Sequence, residues 1–203
     1  MVKLLHIDTS PRGDQSNSRQ LAKYFMTAWQ AKHPETETIY RDLGHHPVPH
    51  VTEAWIGGAY TPLADRSSEM QQAIEISDTL IDEFLGVDRL VISVPMYNLN
   101  VPSTFKAYID QIVRVGKTFN IGANGYEGLA GGRKILFVTS SGSDFSTPEM
   151  APYNFQEPYL KAIFGFIGIT DITFVNANGV DAGERERVLA TAQTELDRLV
   201  TSW

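Results

Sequence analysis

The sequence predicts an α/β protein built on a doubly wound parallel sheet, and three observations carry that prediction. Five short apolar runs alternate with five segments of helical periodicity along the 203 residues, which is the mark of a parallel sheet covered by helices on both faces. The runs are apolar almost without interruption, as in Ile135-Leu136-Phe137-Val138, because a strand buried on both faces has no solvated side to populate with polar residues. The loops after the first, third and fourth runs are hydroxyl-rich, amide- and aromatic-bearing, and Gly-Ser-rich in turn. Loops at the carboxyl edge of a parallel sheet are where such folds hold their ligands.

Each element follows from its pattern. Lys3 to Asp8 reads as the first strand, and Ser18 to Lys32 as a helix with Leu21, Phe25, Ala28 and Trp29 on one face. Thr38 to Leu43 is a weaker strand. Glu69 to Leu85 is helical through Met70, Ala73, Ile74, Ile81 and Phe84. Asp88 to Val94 is the third strand, and the helix after its loop places Phe105, Ile109, Ile112 and Val113 in phase and runs to Val115. Lys134 to Ser140 is the fourth strand. Pro158 to Ile167 is helical, Asp171 to Asn176 is the last strand, and Glu184 to Val200 is the last helix. Residues 44–68, rich in His, Pro and Gly, and residues 116–132, rich in Gly with Phe119 and Tyr126, break the alternation, and excursions of this length are often functional. No repeat, low-complexity tract or domain-separating linker is visible, so residues 1–203 read as a single domain.

Composition narrows the function. Hydrophobic content of 42% and charged content of 20% are globular values. A net charge of −7 argues against general nucleic-acid binding and favours a soluble protein. The absence of cysteine excludes disulfides, thiol catalysis and zinc-thiolate sites. The start, Met1-Val2-Lys3-Leu4-Leu5-His6-Ile7, lacks a signal-peptide core, and no run of apolar residues is long enough to span a membrane, so a cytoplasmic location is expected.

The three loops are the candidate site. The first, Thr9-Ser10-Pro11-Arg12-Gly13-Asp14-Gln15-Ser16-Asn17-Ser18, ends at a helix N-terminus, where backbone N–H groups and the helix dipole attract an anion. It is neither a Walker A loop nor Gly-x-Gly-x-x-Gly, and so suits a terminal monophosphate held without Mg²⁺. Plain capping by Ser16 or Ser18 is the alternative role. The second, Pro95-Met96-Tyr97-Asn98-Leu99-Asn100-Val101-Pro102-Ser103, suits a flat aromatic ligand. In the third, Thr139-Ser140-Ser141-Gly142-Ser143-Asp144, small residues let such a ligand approach the backbone. Together they describe a pocket with a phosphate end and a flat-ring end.

On these residues the chain resembles the FMN-dependent NADH-azoreductases of bacteria, within the flavodoxin-like quinone reductases. The most specific piece is Pro95-Met96-Tyr97-Asn98 followed by Ser103-Thr104-Phe105-Lys106-Ala107-Tyr108-Ile109-Asp110. Ser16-Asn17-Ser18, Gly128-Leu129 and Phe164-Gly165-Phe166-Ile167-Gly168-Ile169 add to it, and the resemblance covers essentially the whole chain. It implies a flavodoxin-like fold with strand order 2-1-3-4-5 and non-covalently bound FMN at the switch between strands one and three. Ser10, Ser16, Asn17 and Ser18 would hold the phosphate. Met96, Tyr97, Asn98 and Leu99, with Ser140, Ser141, Gly142 and Ser143, would frame the isoalloxazine.

The resemblance also implies a ping-pong scheme in which hydride passes from NADH, or NADPH as the alternative donor, to flavin N5 and then to a quinone or azo acceptor. No side chain is nominated as an obligatory catalyst. Asn98, Leu99, Phe119, Tyr126 and Phe166 are the candidate acceptor-site residues, with core packing the alternative for the three aromatics. A homodimer lining shared sites is implied. Position 99 is Leu where such enzymes often carry Phe, and the Ser-Ser-Gly-Ser loop stands where relatives often have an Arg or a second Gly. A flavodoxin-type electron carrier is the rival reading, disfavoured by the long aromatic-bearing excursions.

Other candidates weigh less. His45, His46 and His50, broken by prolines, lack the helical spacing of a zinc site and read as a solvated loop. His6 reads as a satisfied buried histidine, and Glu184-Arg185-Glu186-Arg187 as a solvated helix start. Ser141-Gly142-Ser143 lacks the Gly-x-Ser-x-Gly elbow of a hydrolase.

Overall fold

The structure, a computed structural model, describes residues 1–123 and 125–203. Five strands, β1 (Lys3–Asp8), β2 (Glu37–Asp42), β3 (Arg89–Pro95), β6 (Lys134–Ser141) and β7 (Asp171–Asn178), form one parallel sheet in the order β2-β1-β3-β6-β7. Counting only the strands of this sheet, that is the order 2-1-3-4-5. The chain reverses its winding between β1 and β3, so the loops leaving these two strands part and open a crevice at the carboxyl edge. The register fixes its walls, with Asp8 beside Ser93 and Pro95 beside Ser140.

Alternation along the strands divides the core in two. Leu5, Ile7, Ile92 and Phe137 face a layer made by α3 (Ser68–Leu85), α4 (Ser103–Ile112) and α5 (Gln156–Phe166), where Phe84, Phe105 and Phe164 are buried. Their neighbours Leu4, Val91 and Leu136 face α1 (Asn17–Lys32) and α6 (Arg185–Ser202), against Phe25, Trp29 and Leu196. Each such side chain, fully buried, contributes about 1.5–3 kcal/mol relative to exposure. That gain on both faces explains why the central strands β3 and β6 carry few polar residues, while the edge strand β2 carries several.

The excursions hold regular structure that periodicity did not reveal. Residues 44–68 contain a sixth helix, α2 (Glu53–Tyr60), capped by Thr52 Oγ1, which accepts the Trp55 N–H at 3.2 Å. Gly57 and Gly58 weaken its local signal, and packing holds it: Trp55 Nε1 donates to buried Gln111 on α4 at 2.8 Å. Residues 116–132 contain an antiparallel hairpin, β4 (Phe119–Gly122) with β5 (Gly125–Gly128), in which Ile121 pairs with Tyr126. Gly128 explains its place beside the Gly168 motif. A Cβ there would lie 2.2 Å from the Gly168 nitrogen, so the two backbones pack directly.

α4 ends at Ile112 and not at Val115. Val113 leaves helical geometry (φ −86°, ψ 91°), and the Thr118 hydroxyl takes over, donating to the Ile112 carbonyl at 2.7 Å and accepting the Arg114 N–H at 3.0 Å. Among the described residues, no helix is long and apolar enough to cross a membrane.

Candidate functional site

The carboxyl ends of β1, β3 and β6 bring the three loops together. Ser10, Arg12, Ser16 and Asn17 from the first, Pro95, Met96 and Tyr97 from the second, and Ser140, Ser141 and Gly142 from the third line one cavity of about 170 Å³, joined by Val180 and Asp181 from the turn after β7. The loops are tied to one another. The Ser10 and Tyr97 hydroxyls lie 3.2 Å apart, the Met96 N–H donates to the Ser140 carbonyl at 2.8 Å, and the Gln156 amide at the start of α5 donates to the Pro95 carbonyl at 3.1 Å.

At the phosphate end, Ser16 caps α1 and its Oγ lies 3.5 Å from the Arg19 N–H. Both roles read from the sequence therefore meet in one residue, since Ser16 also lines the cavity. The first N–H groups of a helix have no intrahelical acceptor, which leaves those of Asn17 and Ser18 for an anion. Ser18 itself is fully buried outside the cavity lining, with its hydroxyl 3.2 Å from Ser16 Oγ. The Asn17 side-chain oxygen accepts from Arg185 at the start of α6, at 2.6 Å from Nη2. Arg185 thus has a partner in the cradle and is more than part of a solvated helix start.

The second loop is a tight turn. Tyr97 and Asn100 exchange backbone hydrogen bonds of 2.9 and 3.1 Å, and the central residues Asn98 (φ 49°) and Leu99 (φ 68°) both have positive φ. This is the primed-turn geometry, uncommon for a leucine. It leaves both side chains exposed beside the cavity mouth and outside its lining, while the Phe155 N–H donates to the Leu99 carbonyl at 3.2 Å. Ser143 is also exposed, and its carbonyl lies 2.8 Å from Ser141 Oγ. The three nominated aromatics form a cluster on the hairpin and α5: Phe166 lies 4.8 Å from Phe119 and 5.2 Å from Tyr126, ring centre to ring centre. This cluster is apart from the cradle lining of the same chain.

A carboxylate–guanidinium cluster lies beneath the first loop. Arg19 forks onto Asp42, with Nη1 at 2.9 Å from Oδ2 and Nη2 on Oδ1, and it also reaches Asp8 at 3.4 Å. Burial opposes ionisation of Asp42, but Arg19 and His45 outweigh it and hold its carboxyl well below the usual range. Burial likewise opposes ionisation of Asp8, and contacts from His6, Ser93 and Tyr40 lower its pKa overall. Burial and the adjacent Asp8 push the Tyr40 phenol up. His6 is buried as expected, but its Nε2 makes no hydrogen bond and lies 3.4 Å from Asp8 Oδ1, so the reading of a satisfied histidine is corrected. Strand geometry places Nε2 beside the carboxylate without aligning it. His45 Nδ1 lies 2.8 Å from Asp42 Oδ2 and donates to that carboxylate. A larger surface concavity of about 1010 Å³ runs along α1 past His6, Lys23, Tyr24 and Tyr40 and holds none of the nominated residues.

Sequence reasoning missed Arg12, Val180 and Asp181. Arg12 was legible as the one cation in the first loop; the other two reach the cavity only because β7 ends beside β6.

A switch-point cradle beside hydroxyl-bearing loops defines a flavodoxin-like protein, and the family described as "Flavodoxin-like fold" matches residues 2–200. The FMN-dependent NADH:quinone oxidoreductase of Nostoc punctiforme is 54% identical over the full length of both chains. The FMN-dependent NADH:quinone oxidoreductase 1 of Pseudomonas fluorescens is 42% identical, covering 96% of this chain and 95% of its own. The FMN-dependent NADH-azoreductase of Bacillus anthracis, solved with FMN, superposes with a TM-score of 0.91 at 27% identity, covering 100% of this chain and 99% of its own. The chain belongs to the flavodoxin-like family, within the group of FMN-dependent NADH:quinone oxidoreductases.

Proposed function

We propose that this chain is an FMN-dependent NADH oxidoreductase that reduces quinones and azo compounds. The observation that carries the reading is the convergence of Ser10, Ser16, Asn17, Met96, Tyr97, Ser140, Ser141 and Gly142 on one cavity at the strand switch, together with full-length identity to relatives named for this activity. The donor set fits a flavin monophosphate. Ser10, Arg12 and Ser16 line the cavity beside the N–H groups at the start of α1, a set that would hold a dianion without a metal, and Met96 and Tyr97 line its other end, where the ring would lie.

FMN, when bound, supplies two-electron hydride chemistry between NADH and the acceptor. The protein's part is binding and orientation. Ser16 and the N–H groups of Asn17 and Ser18 would hold the phosphate, and the Met96–Tyr97 segment would flank the ring; Ser141, held between Asn178 Oδ1 (2.9 Å) and the Ser143 carbonyl (2.8 Å), keeps the third loop close. Leu99, fixed outward by its turn, shapes the space for the acceptor. No side chain needs to act as an acid, because solvent reaches the open mouth.

A second copy of the chain completes the site in this reading. Ile121, Tyr126, Leu129, Tyr153 and Phe155 are exposed hydrophobic residues on the hairpin and on the segment before α5, and the Phe119–Tyr126–Phe166 cluster lies with them, so a partner would cover these side chains and bring the aromatics to its acceptor space. An NADH-consuming enzyme of this kind works in the cytoplasm, as one domain spanning residues 1–203.

Purified protein supplied with FMN, NADH and a simple benzoquinone tests the reading. Catalytic loss of NADH with stoichiometric quinone reduction is expected. Flavin that is reduced without quinone turnover would favour an electron carrier. A mass measurement in solution, with Ile121→Asp as the variant, checks the dimer; an unchanged monomeric mass for both proteins would remove it.

A further inference from the structure

We propose that Arg19 is a positioning residue for the phosphate cradle, acting through the carbonyl of Ser10 and anchored by Asp42 and Asp8. The proposal rests on the FMN reading above and concerns what gives that site its preference for a phosphorylated flavin.

Arg19 sits in the first turn of α1 and is only 8% exposed. It does not line the cradle. Its Nε donates to the Ser10 carbonyl at 2.7 Å, while both Nη atoms engage Asp42 and Nη1 also faces Asp8. A guanidinium is a rigid planar fork, so fixing two edges on carboxylates fixes the third direction as well. The carboxylates are themselves held. Asp8 accepts from Ser93 Oγ at 2.5 Å and Tyr40 OH at 2.9 Å; Asp42 accepts the Gly44 and His45 N–H groups at 3.0 and 3.1 Å. The ends of β1 and β2, the start of α1 and the turn at Gly44 therefore all meet on one side chain.

Ser10 is where this cluster touches the cradle. Ser10 is on the cavity lining, and its hydroxyl lies 3.2 Å from Tyr97 OH and accepts the Arg12 N–H at 3.3 Å. Its carbonyl is packed in the other direction, so closely against Gly44 that a Cβ there would lie 2.1 Å from the oxygen. A carbonyl turned toward the cradle would present its negative end to the phosphate. Arg19 satisfies that oxygen on the far side, away from the anion, and so orients the Ser10 hydroxyl and the Arg12 N–H together. A buried guanidinium left to hold only two carboxylates would do none of this; the hydrogen bond to the loop is what links the cluster to the ligand.

The test compares FMN with riboflavin, which shares the ring and ribityl chain and lacks the phosphate. Flavin-free full-length protein is titrated with each while flavin fluorescence is followed. The wild type is expected to favour FMN. In Arg19→Met, FMN affinity should fall tenfold or more while riboflavin affinity stays within about twofold, and Arg19→Lys should recover part of the loss, because an ammonium restores one donor but not the fork. Equal weakening of both flavins, or an undiminished preference for FMN, overturns the proposal and leaves the FMN reading intact. A wild type that binds both flavins equally overturns the reading of the cradle and the proposal with it. If Arg19→Met does not fold by circular dichroism, Asp42→Asn carries the same comparison: it keeps the guanidinium and loosens its anchor, and an FMN-to-riboflavin ratio unchanged from wild type there is equally fatal.

Discussion

The hydroxyls of Ser10 and Tyr97 lie 3.2 Å apart across the strand switch, joining the loop after β1 to the loop after β3. The contact spans the crevice that the reversal of winding opens, and it brings a hydroxyl of the phosphate end against a residue of the ring end. A polar link of this kind contributes about 0.5–1.5 kcal/mol. Tyr97→Phe is therefore expected to weaken FMN binding by about threefold to tenfold without altering the fold. Fluorescence titration of flavin-free protein measures it, and an unchanged affinity would mean that each loop holds its place alone.

Leu99 stands exposed on its turn beside the cavity mouth. Leu99→Phe should change the ranking of quinone and azo acceptors while FMN affinity stays within tenfold, or about 1.4 kcal/mol. A steady-state panel of acceptors decides, and an unaltered ranking would show that the acceptor does not meet this side chain.

The same residue carries a backbone cost. A non-glycine residue at φ 68° sits in the left-handed region, which costs roughly 1–2 kcal/mol. Leu99→Gly relieves it but frees the unfolded chain as well, so a net gain of about 0.5–1 kcal/mol is expected, about 1–4 °C of Tm. Calorimetry of the two proteins side by side tests this. A lower Tm in the glycine variant would show that contacts of the leucine side chain outweigh the strain.

The carboxyls of Asp8 and Asp42 titrate lower in the folded protein than their ordinary value of 3.8. Below that value the unfolded chain binds more protons than the folded one, so the stability these groups supply is complete above it and is lost as pH falls toward their folded pKa values. Thermal melts from pH 7 to pH 3 should be flat at first and then drop on the acid side. Asp42→Asn should lower Tm at pH 7 by about 4–8 °C, taking roughly 2 kcal/mol for breaking a mostly buried pair, and should flatten the acid limb. An equally steep limb in the variant would assign it to other carboxylates.

Local pattern made most of this molecule legible. The central strands β3 and β6 follow from nearly uninterrupted apolar runs, because burial on two faces imposes the same demand at each residue, whereas edge strand β2, Glu37-Thr38-Ile39-Tyr40-Arg41-Asp42, is mostly polar and correspondingly weaker in the sequence. The hydroxyl-rich first loop and the Met96–Leu99 loop were visible from their residue types immediately after apolar runs. α2 escaped because Gly57 and Gly58 erase its propensity while Trp55 and Gln111 restore it from a distance. The β4–β5 hairpin escaped because, apart from buried Phe119, most of its residues face solvent and carry little periodicity. At the site, the sequence determined which residue types reach the carboxyl edge: serines at a helix start, a Met-Tyr-Asn-Leu loop, and small residues after the fourth strand of the sheet. Only the tertiary structure decided that Ser16 lines the cradle while Ser18 is buried behind it, that Asn98 and Leu99 occupy a primed turn, and that Asp181 joins from the far end of the chain. It alone revealed Arg19 as the joint between Ser10 and the carboxylates. Element type is set by neighbours within a turn or two, whereas the direction of a side chain or carbonyl at the site is set by partners dozens of residues away, which meet only when the sheet has formed.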